Sequence, residues 1–523
     1  MILKKISFQF EKVFTVFFLF YLSAMLSLGR AFSVLHIKTP FVPVFITEIV
    51  LGAAIFFILL NLKKAVALPG KFLFVFFAYL FLNVTYLAVA LAQRKFFAFK
   101  DITLALYPLF LLAAYIVFSD RRVFRRLFHV LVIANIIGIL LARILIFHVF
   151  PWLALKFSVV VNIRVTNYGL YFGIILSFLF ALLPTVKSKV ARSFIYLLMA
   201  SNLYILFIVG ERSIWLAVLA LFAFLFFVLR RQFIKPFLRL CLLCVLVFTL
   251  LLHFDLRIMS REKIDNLLTK AHHFAPFIAL LVPLEAPVEK GISPEFTKTA
   301  ETVSAEMRSI LNQQIKNDSK RAFNFDEADN EARYVAFREV VSASAGVSRT
   351  VNFLGIRLHE NECQGAMRGN LFFRFALWEQ ALTFGLQSPF FGQGFGVYPN
   401  IRVWSHEYMN PIAVKNSFMN TGLRPVHNDL LTVFYKTGLV GLLLFLAITV
   451  YNFFYGFKAL IKSTDERTRI LLTGALGGLI CWHVLALLFD IIDSPPTNIF
   501  LWVLGGFIFS LSNNRGRENS ERV

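Results

Sequence analysis

Phe72-Leu73-Phe74-Val75-Phe76-Phe77-Ala78-Tyr79-Leu80-Phe81-Leu82-Asn83-Val84-Thr85-Tyr86-Leu87-Ala88-Val89-Ala90-Leu91 is an apolar run without a single charge. A helix of this length covers about 30 Å, the thickness of a bilayer's hydrocarbon core. Val13 to Leu28 has the same character. Inside hydrocarbon every backbone N–H and C=O needs a partner within the protein, which admits only helices and closed barrels. The residue alternation of barrel strands is absent, so the runs are helices. Comparable runs fall at 13–29, 42–60, 72–92, 102–118, 127–149, 167–185, 193–209, 213–229, 238–253, 429–451, 470–489 and 497–512. The expected architecture is an all-α integral membrane protein of about twelve transmembrane helices. One large loop separates the ninth from the tenth.

Composition excludes the main alternative classes. With 58% apolar and 16% charged residues, the chain is far from a water-soluble domain. The net charge of +23 invites a nucleic-acid reading, yet the basic residues sit in short clusters between apolar runs and form no separate basic domain. They read as topology determinants, with a share left for an anionic, phosphate-bearing substrate. The first run follows Lys4, Lys5 and Lys12 in the manner of a signal peptide, but no small-residue cleavage site precedes the next run, so it reads as a retained helix. Cys241 and Cys244 form a C-x-x-C inside an apolar run, and only Cys363 falls in the large loop; packing explains the pair better than metal or redox chemistry.

Alternate connections differ in Lys and Arg. One set holds Lys63, Lys64 and Lys71; Arg121, Arg122, Arg125 and Arg126; Lys187, Lys189 and Arg192; Arg230, Arg231, Lys235 and Arg239; Lys458, Lys462, Arg467 and Arg469. The opposite connections are poorer in basic residues, which places both termini in the cytoplasm and the loop outside. Three regions result: helices one to nine over 1–253, the extracytoplasmic loop over 254–428, and helices ten to twelve with a tail over 429–523. Within the loop, amphipathic helices are expected from Ser293-Pro294 to about 316, from about 326 to 344, and over 371–386. Gly392-Gln393-Gly394-Phe395-Gly396 reads as a Gly-rich turn rather than a dinucleotide fingerprint, since no strand-turn-helix context surrounds it.

Charges at the outer ends of spans are the first functional candidates, because such placement is costly. Arg164 precedes the sixth span in Asn162-Ile163-Arg164-Val165-Thr166. Arg212 lies in Gly210-Glu211-Arg212-Ser213, a hinge with almost no loop. Arg374 lies one helical turn before Trp378. Guanidinium groups fork onto phosphate oxygens and stay charged when desolvated, which suits a diphosphate. Snorkelling, or an Arg212–Glu211 pair, is the plainer reading of each. His427, in Arg424-Pro425-Val426-His427-Asn428-Asp429, stands where the loop re-enters the membrane. An imidazole there can accept a proton from a hydroxyl near neutral pH, or it can simply cap the helix.

The run His427-Asn428-Asp429-Leu430-Leu431-Thr432-Val433-Phe434-Tyr435-Lys436-Thr437-Gly438-Leu439-Val440-Gly441 resembles the His-Asn…Gly-Leu-x-Gly signature of the O-antigen ligase and O-antigen polymerase family. Arg374 through Trp378, followed by Ser388-Pro389 and Gly392 to Gly396, is similar to the family's Arg…Trp…Pro…Gly-x-Gly-x-Gly stretch. Gly210-Glu211-Arg212-Ser213 resembles its Ser-Arg turn, with Glu211 where the family has a small residue, and the segment around Arg164 matches loosely. The similarity covers roughly residues 150 to 510.

The resemblance implies a bacterial inner-membrane enzyme with its active site facing the periplasm. Such an enzyme moves a glycan from an undecaprenyl-diphosphate carrier to an acceptor hydroxyl, on lipid A core or a similar glycan, with inversion and without metal or cofactor. His427 is then the catalytic base, and Arg212, Arg374 and Arg164 hold the diphosphate. The first outer loop, Arg30 to Phe41, has no acidic residue to serve as the carboxylate pair of a metal-using transferase. Expected partners are the lipid-linked donor, the acceptor, membrane lipids and polysaccharide-assembly proteins, and no nucleic acid. A polysaccharide polymerase and a protein O-oligosaccharyltransferase of the same family remain open. So does a lipid-linked oligosaccharide flippase, which Arg143 and His483 inside spans would favour.

Overall fold

A computed structural model describes residues 2–28, 32, 35–37, 44–93, 95–144, 166–209, 212–258, 350–353, 356–359, 366–397 and 426–520. The principal helices are α1 (Ile2–Leu28), α2 (Ile46–Leu60), α3 (Gly70–Ala92), α4 (Leu109–Val117), α5 (Arg121–Ile144), α6 (Thr166–Leu182), α7 (Lys189–Val209), α8 (Arg212–Leu229), α9 (Arg231–Ile258), α10 (Ala366–Leu386), α11 (Asp429–Lys462), α12 (Glu466–Ala486) and α13 (Pro495–Ser520). The expected apolar runs overlap these helices, except that the run at 102–118 is divided between two helices and residues 145–149 lie outside the described residues. Among the described residues seven helices are long and apolar enough to cross a membrane, and four apolar helices are shorter: Ile46–Leu60, His129–Ala142, Gly169–Thr185 and Ser213–Leu229.

Several helices overrun the apolar stretches that announced them. α11 continues to Lys462, so Lys458 and Lys462 lie in its last turns rather than in a loop. The hydrocarbon limits the length of an apolar run, whereas a helix can continue into water with polar side chains. The run expected at 102–118 is interrupted instead: a short helix Ile102–Ala105 precedes α4, with Pro108 between them. Proline lacks the N–H that a continuous helix would need there.

The centre of the bundle is recognisable by burial. In α13, 89% of the apolar window is covered by protein, against 17% in Phe233–Leu250 of α9. Leu238, Leu242, Leu246 and Leu250 recur every four residues and are all exposed, forming one apolar stripe on α9 that matches an acyl environment. α12 packs closely on α6 because a Cβ at Gly474 or Gly477 would collide with Phe178 or with Ser177. That closeness lets the Ser177 hydroxyl donate to the Gly474 carbonyl at 3.0 Å, small-residue packing of the kind that joins helices in lipid.

Two short antiparallel ladders were not expected. β1 (His36–Ile37) pairs with β2 (Val44–Phe45) just before α2. β3 (Thr350–Phe353) pairs with β4 (Ile356–His359), with Asn352 opposite Arg357. The second ladder adds a strand pair to a large loop expected to be mainly helical; its strands are too short to leave a period-two signal. The expected helices at 293–316 and 326–344 lie outside the described residues, while the third begins at Ala366, earlier than expected. By its contacts the chain divides into residues 1–273 with 373–523, and residues 274–372. The ladder β3–β4 belongs to the second unit.

Candidate active site

The turn joining α12 to α13, residues 487–494, gathers side chains from distant parts of the sequence. Helix ends leave carbonyls without intrahelical partners, and here polar side chains supply them. Asn428 Nδ2 donates to the Leu487 carbonyl at 3.1 Å, and Arg374 Nη1 donates to the Leu488 carbonyl at 2.9 Å. The Arg374 guanidinium also lies 5.0 Å from the Phe489 ring centroid, a cation–π contact. The Ile491 N–H donates to Asp429 Oδ1 at 3.1 Å. The start of α11 and the face of α10 that carries Arg374 therefore meet on one short segment.

His427 stands immediately outside the α11 cap. Asn428 is the N-cap: its Oδ1 accepts the Leu431 N–H at 3.0 Å, while its amide nitrogen reaches Leu487. His427 itself is half-buried and has φ +55°, the left-handed region, which costs a residue with a Cβ about 1–2 kcal/mol. Strain of this kind is retained where surrounding contacts enforce it, and it often marks functional positions.

α11 is broken at Gly438, with φ +67° and ψ −169°. The Gly-rich stretch of the sequence closes this break. Gln393 N–H and Gly394 N–H donate to the carbonyls of Tyr435 (2.7 Å) and Lys436 (3.0 Å). In return Leu439 N–H and Val440 N–H donate to the carbonyls of Pro389 (2.7 Å) and Phe390 (3.1 Å). Two glycines make the approach possible: a Cβ at Gly392 would lie 2.5 Å from the Gly438 nitrogen, and a Cβ at Gly438 would strike the Phe390 carbonyl. The Gly-rich turn is thus a splint for a discontinuous helix rather than a phosphate cradle.

Beside the break lies an ionic cluster that the sequence reading passed over. Lys436 is fully buried; its Nζ donates to Asp101 Oδ1 at 2.7 Å and to both Asp493 oxygens at 2.8 and 2.9 Å. Asp101 Oδ2 accepts the Gly396 N–H at 2.8 Å. Burial raises the Asp101 carboxyl above its ordinary range, opposed first by the Lys436 ammonium. The signal was present: Lys436 is a charge within an apolar run, and such residues are functional candidates as much as the arginines at span ends.

Of the residues singled out from sequence, Arg374 contacts the 487–494 turn directly, and His427 directly precedes Asn428, which also contacts it. Arg212 opens α8, with two residues between it and the end of α7, as the near-absence of a loop anticipated. Its side chain lies outside the description, but its backbone level follows from the pairing of α8 with α12. Leu221 faces Gly477, and Cys481 Sγ approaches the Ala217 carbonyl at 3.8 Å. Extending this antiparallel pairing brings the Arg212 backbone level with the end of α12. Arg164 lies outside the described residues. His483 is packed in α12 against Phe453 and Trp482. Among the described residues no group of three or more His, Cys, Asp or Glu is placed to hold a metal ion.

These apolar helices and this site define a multi-pass membrane protein. Residues 194–446 match the family model described as O-antigen ligase, and over that stretch the chain belongs to the O-antigen ligase family. The match includes Arg212, Arg374, His427 and the break at Gly438; it leaves out Arg164, Asp101 and Asp493. The family's broad activity is membrane glycan transfer of ligase or polymerase type, which makes this protein an enzyme of that general kind. No curated protein matches the chain.

Proposed function

We propose that the protein is a metal-independent, inverting glycosyltransferase that moves a glycan from an undecaprenyl-diphosphate carrier to an acceptor hydroxyl. The acceptor is lipid A core or a comparable glycan. The acceptor oxygen attacks the anomeric carbon, the carbon–oxygen bond to the diphosphate breaks, and its electron pair leaves with the diphosphate. His427 takes the hydroxyl proton; Arg374 and Arg212, with Arg164 assisting, neutralise the departing charge. The observation carrying this reading is that Arg374 and the cap residue beside His427 are tied to the adjacent carbonyls of Leu488 and Leu487. The break in α11 gives no comparable support to a flippase, because the backbone groups around Gly438 are taken up by the 388–396 stretch rather than lining an open ion path.

The reading is tested with purified protein in detergent and radiolabelled lipid-linked donor. Undecaprenyl diphosphate is released in step with glycan transfer to the acceptor; movement of intact donor across a vesicle without bond cleavage would replace the enzyme by a transporter. Arg374→Ala is expected to weaken apparent donor binding by about 10- to 100-fold, since a charge-assisted pair is lost. Steady-state kinetics over a donor range measure this, and an unchanged KM would remove Arg374 from the donor site.

In the same proposal twelve helices cross the inner membrane, both termini are cytoplasmic, and residues 254–428 face the periplasm. In a cysteine-free background, Gln387→Cys should react with a membrane-impermeant maleimide in spheroplasts, whereas Lys462→Cys should react only after lysis. The reverse pattern would invert the topology and put His427 on the wrong side for this chemistry.

A further inference from the structure

The cluster around Lys436 joins three segments that are remote in sequence: Asp101 before the short helix at Ile102, Lys436 in α11, and Asp493 in the 487–494 turn. Its place along α11 explains what it can do. The segment from Asp429 to Thr437 is a short helix of about two and a half turns, because the chain turns at Gly438. A helix this short is oriented only if both of its ends are held. Asn428 and Asp429 hold the first end against Leu487 and Ile491. At the other end, Lys436 reaches past its own helix to Asp493 and thereby grips the same turn again.

That turn also carries the Leu488 carbonyl and the Phe489 ring on which the Arg374 guanidinium rests. A buried ion pair seldom adds net stability over a well-packed apolar alternative, since desolvating both charges offsets their attraction. What it does supply is a fixed geometry, because the ammonium stays satisfied only while both carboxylates stay in place.

We propose that Lys436 is a positioning residue: its ammonium pins the 487–494 turn to the short first segment of α11, and so sets the placement of His427 relative to Arg374. The catalytic consequence rests on the glycan-transfer reading above; the mechanical tie does not.

Two isosteric substitutions separate positioning from general support. Asp493→Asn removes the charge and one of the two acceptor oxygens that tie the turn to Lys436, and leaves Lys436 balanced by Asp101. Asp101→Asn removes the other arm and leaves Lys436 balanced by Asp493. Purified full-length variants in detergent are compared by amide hydrogen exchange, by thermal melting and by kcat and KM for the lipid-linked donor. Asp493→Asn is expected to raise exchange about tenfold in peptides covering 485–494, with peptides of α1 unchanged. Its kcat should fall about 10- to 100-fold, the cost of a small misplacement of reacting groups. Asp101→Asn should lower the melting temperature while leaving exchange in 485–494 close to wild type.

Wild-type exchange and turnover in Asp493→Asn would overturn the proposal. So would equal exchange changes in both variants, which would reduce the cluster to general stabilisation. If Asp493→Asn loosens the turn but the wild-type protein transfers no glycan, the tie stands and the enzymatic reading fails.

Discussion

His427→Asn will accumulate in membranes at the wild-type level and transfer glycan about 100- to 10,000-fold more slowly, the range associated with losing a general base. Asparagine is the informative replacement because of the backbone. Residue 427 has φ +55°, and Asn tolerates the left-handed region better than other residues with a Cβ. His427→Ala removes the same imidazole but adds a backbone penalty, so its loss of activity alone would mix chemistry with folding. Agreement between the two variants in turnover, with the better yield in Asn, would assign the defect to the missing imidazole. Near-normal transfer by His427→Asn would strip His427 of its role as base.

Gly438→Ala is expected to cause a large loss of stability for a single added methyl. The left-handed φ costs about 1–3 kcal/mol for a residue with a Cβ. The new methyl would also strike the Phe390 carbonyl, forcing apart the backbone bonds between 389–394 and 435–440. Gly394→Ala is the matched control: φ there is also positive, at +81°, but nothing lies within 4 Å of the added carbon. Protein yield and thermal denaturation in detergent should therefore rank wild type above Gly394→Ala, and Gly394→Ala well above Gly438→Ala. Equal melting of the two variants would mean that the splint is not needed to hold the broken helix.

The contrast between these two residues shows how far the sequence could be read. Apolar runs without charge announced the helices directly, because hydrocarbon imposes both length and composition on what crosses it. His427 and Arg374 were visible as costly residues beside span ends, and the resemblance raised them together. The attachment of Arg374 to Leu488, and of Asn428 beside His427 to Leu487, was not visible, because it is made to backbone carbonyls, which carry no residue identity. The break at Gly438 was hidden for a related reason. A glycine in an apolar run is common in membrane helices, and only the partner stretch at 389–394 shows that this one ends a helix. Lys436 was legible as a charge inside an apolar run. Its partners Asp101 and Asp493 could not be paired with it from spacing, each being remote in the chain.

The central claim is that an imidazole acting on the acceptor and guanidinium groups holding a lipid diphosphate serve one outward-facing reaction. Donor retention and donor turnover measured side by side, on purified His427→Asn and Arg374→Ala, test it most directly. The expected result is that His427→Asn retains undecaprenyl-diphosphate-linked glycan as the wild type does without releasing undecaprenyl diphosphate, while Arg374→Ala fails to retain it. Turnover at the wild-type rate by His427→Asn, or undiminished retention by Arg374→Ala, would contradict the account.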